Sequence, residues 1–323
     1  PILPRGGGTS QCGQTVGEAL VVDVSKHLNQ ILEIDTSAGR AKVQPGVVLD
    51  DLNSVLRPHN LFFPVDVSTA NRATLGGMAG NNSCGSRSIR YGNMVHNVNE
   101  IQALLSDGSF VQMGRVNANL QGFRGSQRLL DIVQRLQALG ARERDEIERR
   151  FPKLLRRVGG YNIDAIDAAN PNGNNFADIL VGSEGTLGFF TELDLSLQPT
   201  PIHTVLGICH FDSFYTAMEA PQQIVGLNPT AIELVDRTLM DLAYEIEMFR
   251  PILNRFIRGR PEALLLVEFS GDELTELTKR LSNLEELIGS NPLVKVTDKV
   301  SQNAVWEVRK QGLNIVMSMK GDG

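Results

Sequence analysis

Pro4-Arg5-Gly6-Gly7-Gly8-Thr9-Ser10, continuing into Gln11-Cys12-Gly13-Gln14, follows an apolar stretch, Pro1-Ile2-Leu3-Pro4, that reads as a short strand. Consecutive glycines carry no Cβ, so successive backbone N–H groups can converge on one point as an anion nest. Thr9 and Ser10 add hydroxyl donors. Such donors can hold a pyrophosphate without side-chain cations, each charge-assisted hydrogen bond contributing roughly 1.5–3 kcal/mol. Two familiar nucleotide patterns fail here. G-x-G-x-x-G breaks at Gln11, and the P-loop pattern from Gly8 to Thr15 has Gln14 where the phosphate-binding lysine belongs. Taken alone, a Gly-Gly-Gly run is more often a flexible turn.

The run is not alone. The 323 residues include 31 glycines, almost a tenth, against a usual ~7%. Four lie in residues 1–13, five in 76–92 and three in 182–188, with no third-residue period of a collagen kind. Three tight backbone sites are therefore expected. Hydrophobic residues at 41% and charged residues at 21% describe a globular chain, and its length suggests two domains. The boundary is expected at Pro199-Thr200-Pro201, giving domains 1–200 and 201–323.

Acids outnumber bases 37 to 31, for a net charge of −6. No Lys/Arg block is long enough for a nucleic-acid footprint; Arg149-Arg150 and Arg156-Arg157 belong to a charged stretch read as a solvated helix. Cys12, Cys84 and Cys209 are odd in number and far apart, which argues against a disulfide framework and a zinc site and fits a reducing compartment. No metal site is expected in this chain. No apolar run approaches the ~18 residues of a membrane span, and no signal peptide is visible. The expected location is cytoplasmic, with a peripheral place at a membrane left open. Both ends read as cut, so a fragment of a longer protein is expected.

Ala19–Val24, Gln30–Asp35 and Arg40–Val43 read as strands, the last two joined by the turn Thr36–Gly39. Val48–Leu56 is expected to be helical, with Leu49, Leu52 and Leu56 on one face. Asn97–Leu105 and Phe110–Met113 form a hairpin through Ser106–Ser109. Residues 126–158 read as helix, and Val181 and Thr191–Leu197 as strand. Beyond Pro201, strands Thr204–Phe211, Ala231–Val235, Ala263–Phe269 and Leu293–Val296 alternate with helices. The clearest helix is 272–288, with Asp272 as expected N-cap.

The second glycine segment runs from Phe63-Pro64-Val65-Asp66 through Thr74-Leu75-Gly76-Gly77-Met78-Ala79-Gly80-Asn81-Asn82-Ser83-Cys84-Gly85 to Arg90-Tyr91-Gly92. Thr74–Gly77 could open a helix whose first-turn N–H groups face a ligand. Its small residues would let a flat group lie against backbone; close packing of two elements explains each glycine singly. The third, Gly182-Ser183-Glu184-Gly185-Thr186-Leu187-Gly188-Phe189-Phe190, reads as a glycine turn entering a strand.

Together and in this order, the three segments resemble the FAD-linked oxidases of the vanillyl-alcohol-oxidase (PCMH-type) superfamily. Within it they are similar to the D-2-hydroxyacid dehydrogenases acting on D-lactate, glycolate or D-2-hydroxyglutarate. The resemblance covers about residues 1–320. It implies an α+β fold: a PCMH-type FAD-binding domain of two α+β lobes, then an α/β cap domain with helices packed on an antiparallel sheet. Carried over by residue, Arg5, Gly6, Gly7, Gly8, Thr9, Ser10 and Gly13 would bind the FAD pyrophosphate. Pro64, Asp66, Thr74, Leu75, Gly76, Gly77, Ala79 and Gly80, with Asn82, Gly85, Tyr91 and Gly92, would line pyrophosphate, ribose and isoalloxazine. Gly182, Ser183, Glu184, Gly185, Gly188 and Phe190 would close over the remaining side. Two departures affect the loop path: the family's Pro-Pro-Asp-Pro is Pro64-Val65-Asp66-Val67 here, and Cys84 stands at a frequent glycine position. Some relatives attach FAD through a histidine in the first loop; none lies near Gly6–Gly13, so FAD is expected to be non-covalent.

Oxidising a 2-hydroxy acid needs a cation for the carboxylate and a base for the hydroxyl proton. In Val305-Trp306-Glu307-Val308-Arg309-Lys310-Gln311-Gly312-Leu313, helical spacing puts Trp306, Arg309 and Leu313 on one face. An Arg fork matches a carboxylate, and relatives carry a substrate-binding arginine in a matching Trp-x-x-Arg context; a solvated arginine beside Trp306 fits the spacing equally well. His27, His59, His96, His203 and His210 show no triad or metal pattern, so no base is visible. Tyr161 and Asn162 resemble a family turn near the flavin, core packing being an equal alternative. The ending resembles large bacterial forms with a fused C-terminal iron–sulfur domain. The resemblance thus implies an iron–sulfur cluster, a divalent metal and an iron–sulfur or quinone acceptor beyond this chain. Two alternatives stand beside hydroxyacid oxidation: a flavoprotein of the same fold with another reaction, reductase or non-redox, and a P-loop-like nucleotide-binding module.

Overall fold

The structure is a computed structural model and describes residues 1–312 other than Gln11, Gln121, Gly122, Arg124, Leu155 and Ala168. Residue contacts divide the chain into two compact units, Pro1–Thr200 and Pro201–Gly323.

The first unit opens with a parallel pair, Ile2–Arg5 beside Leu20–Asp23, which sets Arg5 opposite Asp23. Its main sheet has five antiparallel strands in the order Ile31–Asp35, Arg40–Val43, Phe189–Ser196, Val98–Leu104, Phe110–Met113. The strand Phe189–Ser196 enters from the far end of the unit and lies between the two hairpins, so it ties the third glycine segment to the sheet. One core serves the unit; Val43, Leu52, Leu56, Ile101, Leu193 and Leu195 are fully buried in it. The Leu49–Leu56 helix buries the three leucines its spacing set on one face.

Two expectations are corrected here. Helix does not run through 126–158: it comprises Gln127–Arg142 and Arg144–Arg150, and Phe151 turns extended. Pro152 disfavours helical backbone at the residue before it. Val181 is not in a strand but follows the helical turn Ala177–Leu180.

The second unit holds a four-stranded antiparallel sheet in the order Ala231–Asp236, Ala263–Gly271, His203–Phe211, Leu293–Val296. In unit order that is second, third, first, fourth, a split βαβ arrangement. Both faces are apolar because alternate residues point to opposite sides. Val205, Leu265, Val267 and Phe269 meet the Leu274–Ile288 helix, while Leu206, Ile208, Leu264 and Leu266 meet elements that include Val305 and Trp306. Gly207 permits the close helix: a Cβ there would fall 2.7 Å from Leu284 Cδ2. The Leu274–Ile288 helix begins after Glu273, not Asp272, and carries no side-chain cap.

Candidate functional site

The first glycine run is held by contact. A Cβ on Gly6 would lie 1.9 Å from Thr74 Oγ1, and one on Gly7 would lie 2.0 Å from the Arg72 carbonyl. Gly8 has φ +64 and faces the Arg5 guanidinium. Only glycine lets this loop rest directly on residues 72–74. Arg5 Nη1 sits 3.5 Å from Asp23 Oδ2, and hydrogen bonds from Ser25 hold the Asp23 carboxyl below its ordinary range.

Thr74 opens the helix Leu75–Gly80 from extended backbone. Two of the first-turn donors expected to face a ligand are already used: Leu75 N–H donates to Val47 O at 2.9 Å and Gly76 N–H to Pro45 O at 2.8 Å. The loop 45–47 runs against the helix start, with Pro45 Cβ 2.3 Å from where a Gly76 Cβ would be. Gly77 N–H keeps no backbone partner among the described residues. Thr74 Oγ1, in a residue 3% exposed, is a buried hydroxyl oxygen without a hydrogen-bond partner.

The third segment is fastened to that helix. Gly182 N–H donates to Ala79 O at 2.8 Å and Glu184 N–H to Gly80 O at 3.0 Å. Gly182, Glu184 and Gly185 all have positive φ. For Glu184 this is a strained conformation of the kind that gathers at functional sites, and partial desolvation raises its carboxyl above the ordinary range. The turn Gly159–Asn162 backs the same loop. Tyr161 Oη and Thr186 Oγ1 share a hydrogen bond of 2.8 Å, and Asn162 Nδ2 donates to Val181 O at 2.8 Å and Asp178 O at 3.1 Å.

The three segments wall one cleft of about 400 Å³, within the ~300–1,000 Å³ of small-molecule sites. Arg5, Gly6, Gly7, Gly8, Thr9 and Ser10 line it from the first segment. Thr74, Gly76, Gly77 and Gly80 line it from the second segment, and Glu184, Gly185, Gly188 and Phe190 from the third. Val24, Pro45, Ser68, Thr69, Cys84 and Val158 also line it, and sequence patterns had not singled these out for the cleft wall.

The remaining expected residues do not line the cleft. Pro64, Leu75 and Ala79 are buried. Asn82, with φ +50, accepts from Val95 N–H at 3.0 Å, and a Gly182 Cβ would touch it at 3.3 Å. Ser183 is buried with its hydroxyl unpartnered. Asp66 accepts from Ser86 Oγ and Arg87 N–H; burial pushes its carboxyl up, with the Arg87 charge opposing. Gly85 is pressed on the Asp66 carbonyl, Tyr91 meets Phe62 edge-on, and Gly92 has φ +75 over His96. Gly13 is open, with φ +83.

In the second unit, Arg309 lies on the helix Lys299–Lys310 and is paired: Nη2 donates to Glu233 Oε2 at 2.6 Å and Nε to the same oxygen at 3.0 Å. Trp306 Nε1 donates to Glu268 Oε2 at 3.1 Å. Leu313 lies outside the described residues. Glu233 is 76 residues from Arg309, so no local pattern could have announced the pair. Among the described residues no group of three or more His, Cys, Asp or Glu could hold a metal ion, and no helix is long and apolar enough to cross a membrane.

Residues 1–114 match the FAD binding domain family and residues 200–322 the family of FAD linked oxidases, C-terminal domain. The chain is 30% identical to a D-2-hydroxyglutarate dehydrogenase of Pseudomonas putida, over 99% of its own length and 33% of that protein. It is 27% identical to the glycolate oxidase subunit GlcD of Bacillus subtilis, over 99% of this chain and 57% of that one. A solved alkyldihydroxyacetonephosphate synthase shares the fold, with TM-score 0.67 at 20% identity, over 98% of this chain and 50% of that one. The chain spans about a third of the length of the dehydrogenases it matches. With the glycine-walled cleft in its first unit and both family models matched in chain order, the chain belongs to the FAD-linked oxidases.

Proposed function

We propose that the chain is the flavin-bearing part of an FAD-dependent D-2-hydroxyacid dehydrogenase acting on D-2-hydroxyglutarate or D-lactate. The observation that carries the cofactor is the cleft itself, where glycines that admit no Cβ face a buried hydroxyl lacking a partner. A buried unpaired hydroxyl costs about 1–3 kcal/mol, which a phosphate oxygen accepting its proton would relieve. The residues therefore fit the group. Gly6–Gly8 N–H groups, the Thr9 and Ser10 hydroxyls, Thr74 Oγ1 and Gly77 N–H would hold the pyrophosphate, with Arg5 as the nearby cation. The loop Gly182–Phe190 would cover the flavin, and Gly13, Asn82, Gly85, Tyr91 and Gly92 would shape the loops beneath it. When bound, FAD supplies the hydride acceptor for the α-hydrogen of the acid. With no histidine in the nest loop, attachment would be non-covalent.

Arg309 would hold the substrate carboxylate. The names of the relatives support the substrate class, and their greater length leaves room for a base, a divalent metal and an iron–sulfur centre elsewhere in the parent protein. Electrons would leave to an iron–sulfur centre or a quinone, and the location would be cytoplasmic.

Purified chain titrated with FAD tests the cofactor. A retained visible flavin spectrum, released on denaturation, is expected; failure to retain added FAD overturns it. In the full-length protein the flavin should be bleached by D- and not L-2-hydroxy acids. Bleaching by neither would point to another reaction on the same fold.

A further inference from the structure

Two carboxylates on adjacent strands reach the Lys299–Lys310 helix. Glu268, 2% exposed, takes the Trp306 indole N–H. Glu233 stands opposite Leu266 in the neighbouring ladder, and Leu266 belongs to the apolar layer that also holds Val305. Residues opposite each other share a face, so Glu233 also points to the helix side. It meets Arg309 through one oxygen, Oε2, and takes the Nε side of the guanidinium. Nη1 has no hydrogen-bond partner among the described residues.

We propose that Glu233 is a positioning residue for Arg309, holding the guanidinium from its Nε side so that the Nη1–Nη2 end is presented to a substrate carboxylate. This rests on the assignment of Arg309 as the carboxylate cation. An arginine can grip a carboxylate bidentately at either edge, and occupation of one edge selects the other. The helix does not need this pair to stay docked. Gln302 Nε2 donates to Thr204 O at 2.7 Å and Val296 O at 3.1 Å, Val305 and Val308 are buried, and Asp298 caps the first turn through Ser301 N–H. The Arg309 side chain keeps 35% exposure, so without Glu233 its charge can turn to solvent and the loss of the pair costs the fold little. What the pair does is order a long, flexible side chain before substrate arrives, which lowers the entropy that binding must overcome.

The test uses the full-length flavin-loaded protein, with glutarate as a carboxylate probe that has no hydroxyl to oxidise and D-2-hydroxyglutarate as substrate. Glu233→Ala is expected to weaken glutarate binding, measured by calorimetry, about tenfold and to raise KM similarly. Flavin content and Tm should stay unchanged and kcat should fall less than twofold. Glu233→Gln keeps an oxygen acceptor and should stay within about threefold of the parent, while Glu233→Asp, one methylene short, should behave like alanine. If Arg309→Ala weakens glutarate while Glu233→Ala does not, positioning is wrong and Arg309 stands. If neither weakens it, the arginine assignment itself fails. Should Glu233→Ala not fold, Gln and Asp decide: equal affinities in these two overturn the proposal.

Discussion

Thr74 carries the sharpest residue-scale consequence of the cleft. Its hydroxyl is buried and unpartnered in a residue that lines the cleft, so it weakens the ligand-free fold and, on the proposed function, would gain a partner in a bound anion. Replacing it by valine removes the polar atom and nearly keeps the shape. Thr74→Val should leave the ligand-free chain as stable as the parent or more stable by up to about 1 kcal/mol in urea unfolding. The same change should weaken FAD roughly ten- to a hundredfold, the loss of one charge-assisted hydrogen bond of about 1.5–3 kcal/mol. Opposite signs in the two measurements identify a ligand-directed hydroxyl; a loss in both would make Thr74 an ordinary packing residue. The glycines beside it were legible in the sequence because three consecutive absences of Cβ are a local signal. Pro45 and the adjacent pair Ser68-Thr69 reach the cleft from two loops with no shared pattern, and only the fold shows them there.

At the scale of elements, the strands Arg40–Val43, Phe110–Met113 and Leu293–Val296 stand where alternation and turn residues place them. The long charged helix and the Asp272 cap were misread because each depends on one backbone choice, at Pro152 and at the strand extending through Gly271. Also hidden was the fastening of the third glycine segment by a buried asparagine. Asn162 is 2% exposed; its amide N–H groups donate to the carbonyls of Asp178 and Val181, and its oxygen accepts from Arg157 Nη2 at 3.2 Å. Family likeness pointed to the Tyr161-Asn162 turn, but the bonds that make it a brace join residues up to 19 positions apart. Asn162→Ala leaves two carbonyls without donors and should destabilise the first unit by about 2–3 kcal/mol. Because that brace supports Gly182–Gly188, FAD affinity should fall with it. Asn162→Asp, which lacks the donors, should behave alike; normal affinity in both variants would detach the brace from the cleft.

Across the whole molecule the two units bury titratable groups of opposite consequence. In the first, burial raises the Asp178 carboxyl to about 7, opposed by the Arg115 charge and a hydrogen bond from Asn175 and assisted by the nearby charge of Asp164. A carboxyl whose folded pKa lies above its unfolded value favours folding most below pH ~4, and that contribution is lost as pH rises towards 7. In the second, His210 is buried. Its Nδ1–H faces the Pro292 carbonyl at 3.0 Å, while Nε2 accepts from Arg258 N–H at 3.1 Å. Burial lowers its pKa by penalising the charged ring, the Arg258 charge adds to this, and backbone hydrogen bonding to the ring, that of Pro292 foremost, opposes it. Its contribution is present above the unfolded value of about 6.5 and is lost as pH falls through that range. Asp178→Asn should therefore flatten the stability of the first unit between pH 4 and 7, with its advantage over the parent greatest at the upper end. A His210→Gln change should instead remove the second unit's decline below pH 6.5, at some cost in stability above it. Urea midpoints followed across pH 4–8, with a signal from each unit, check both signs; a parallel response of the two variants would refute the assignment of either group.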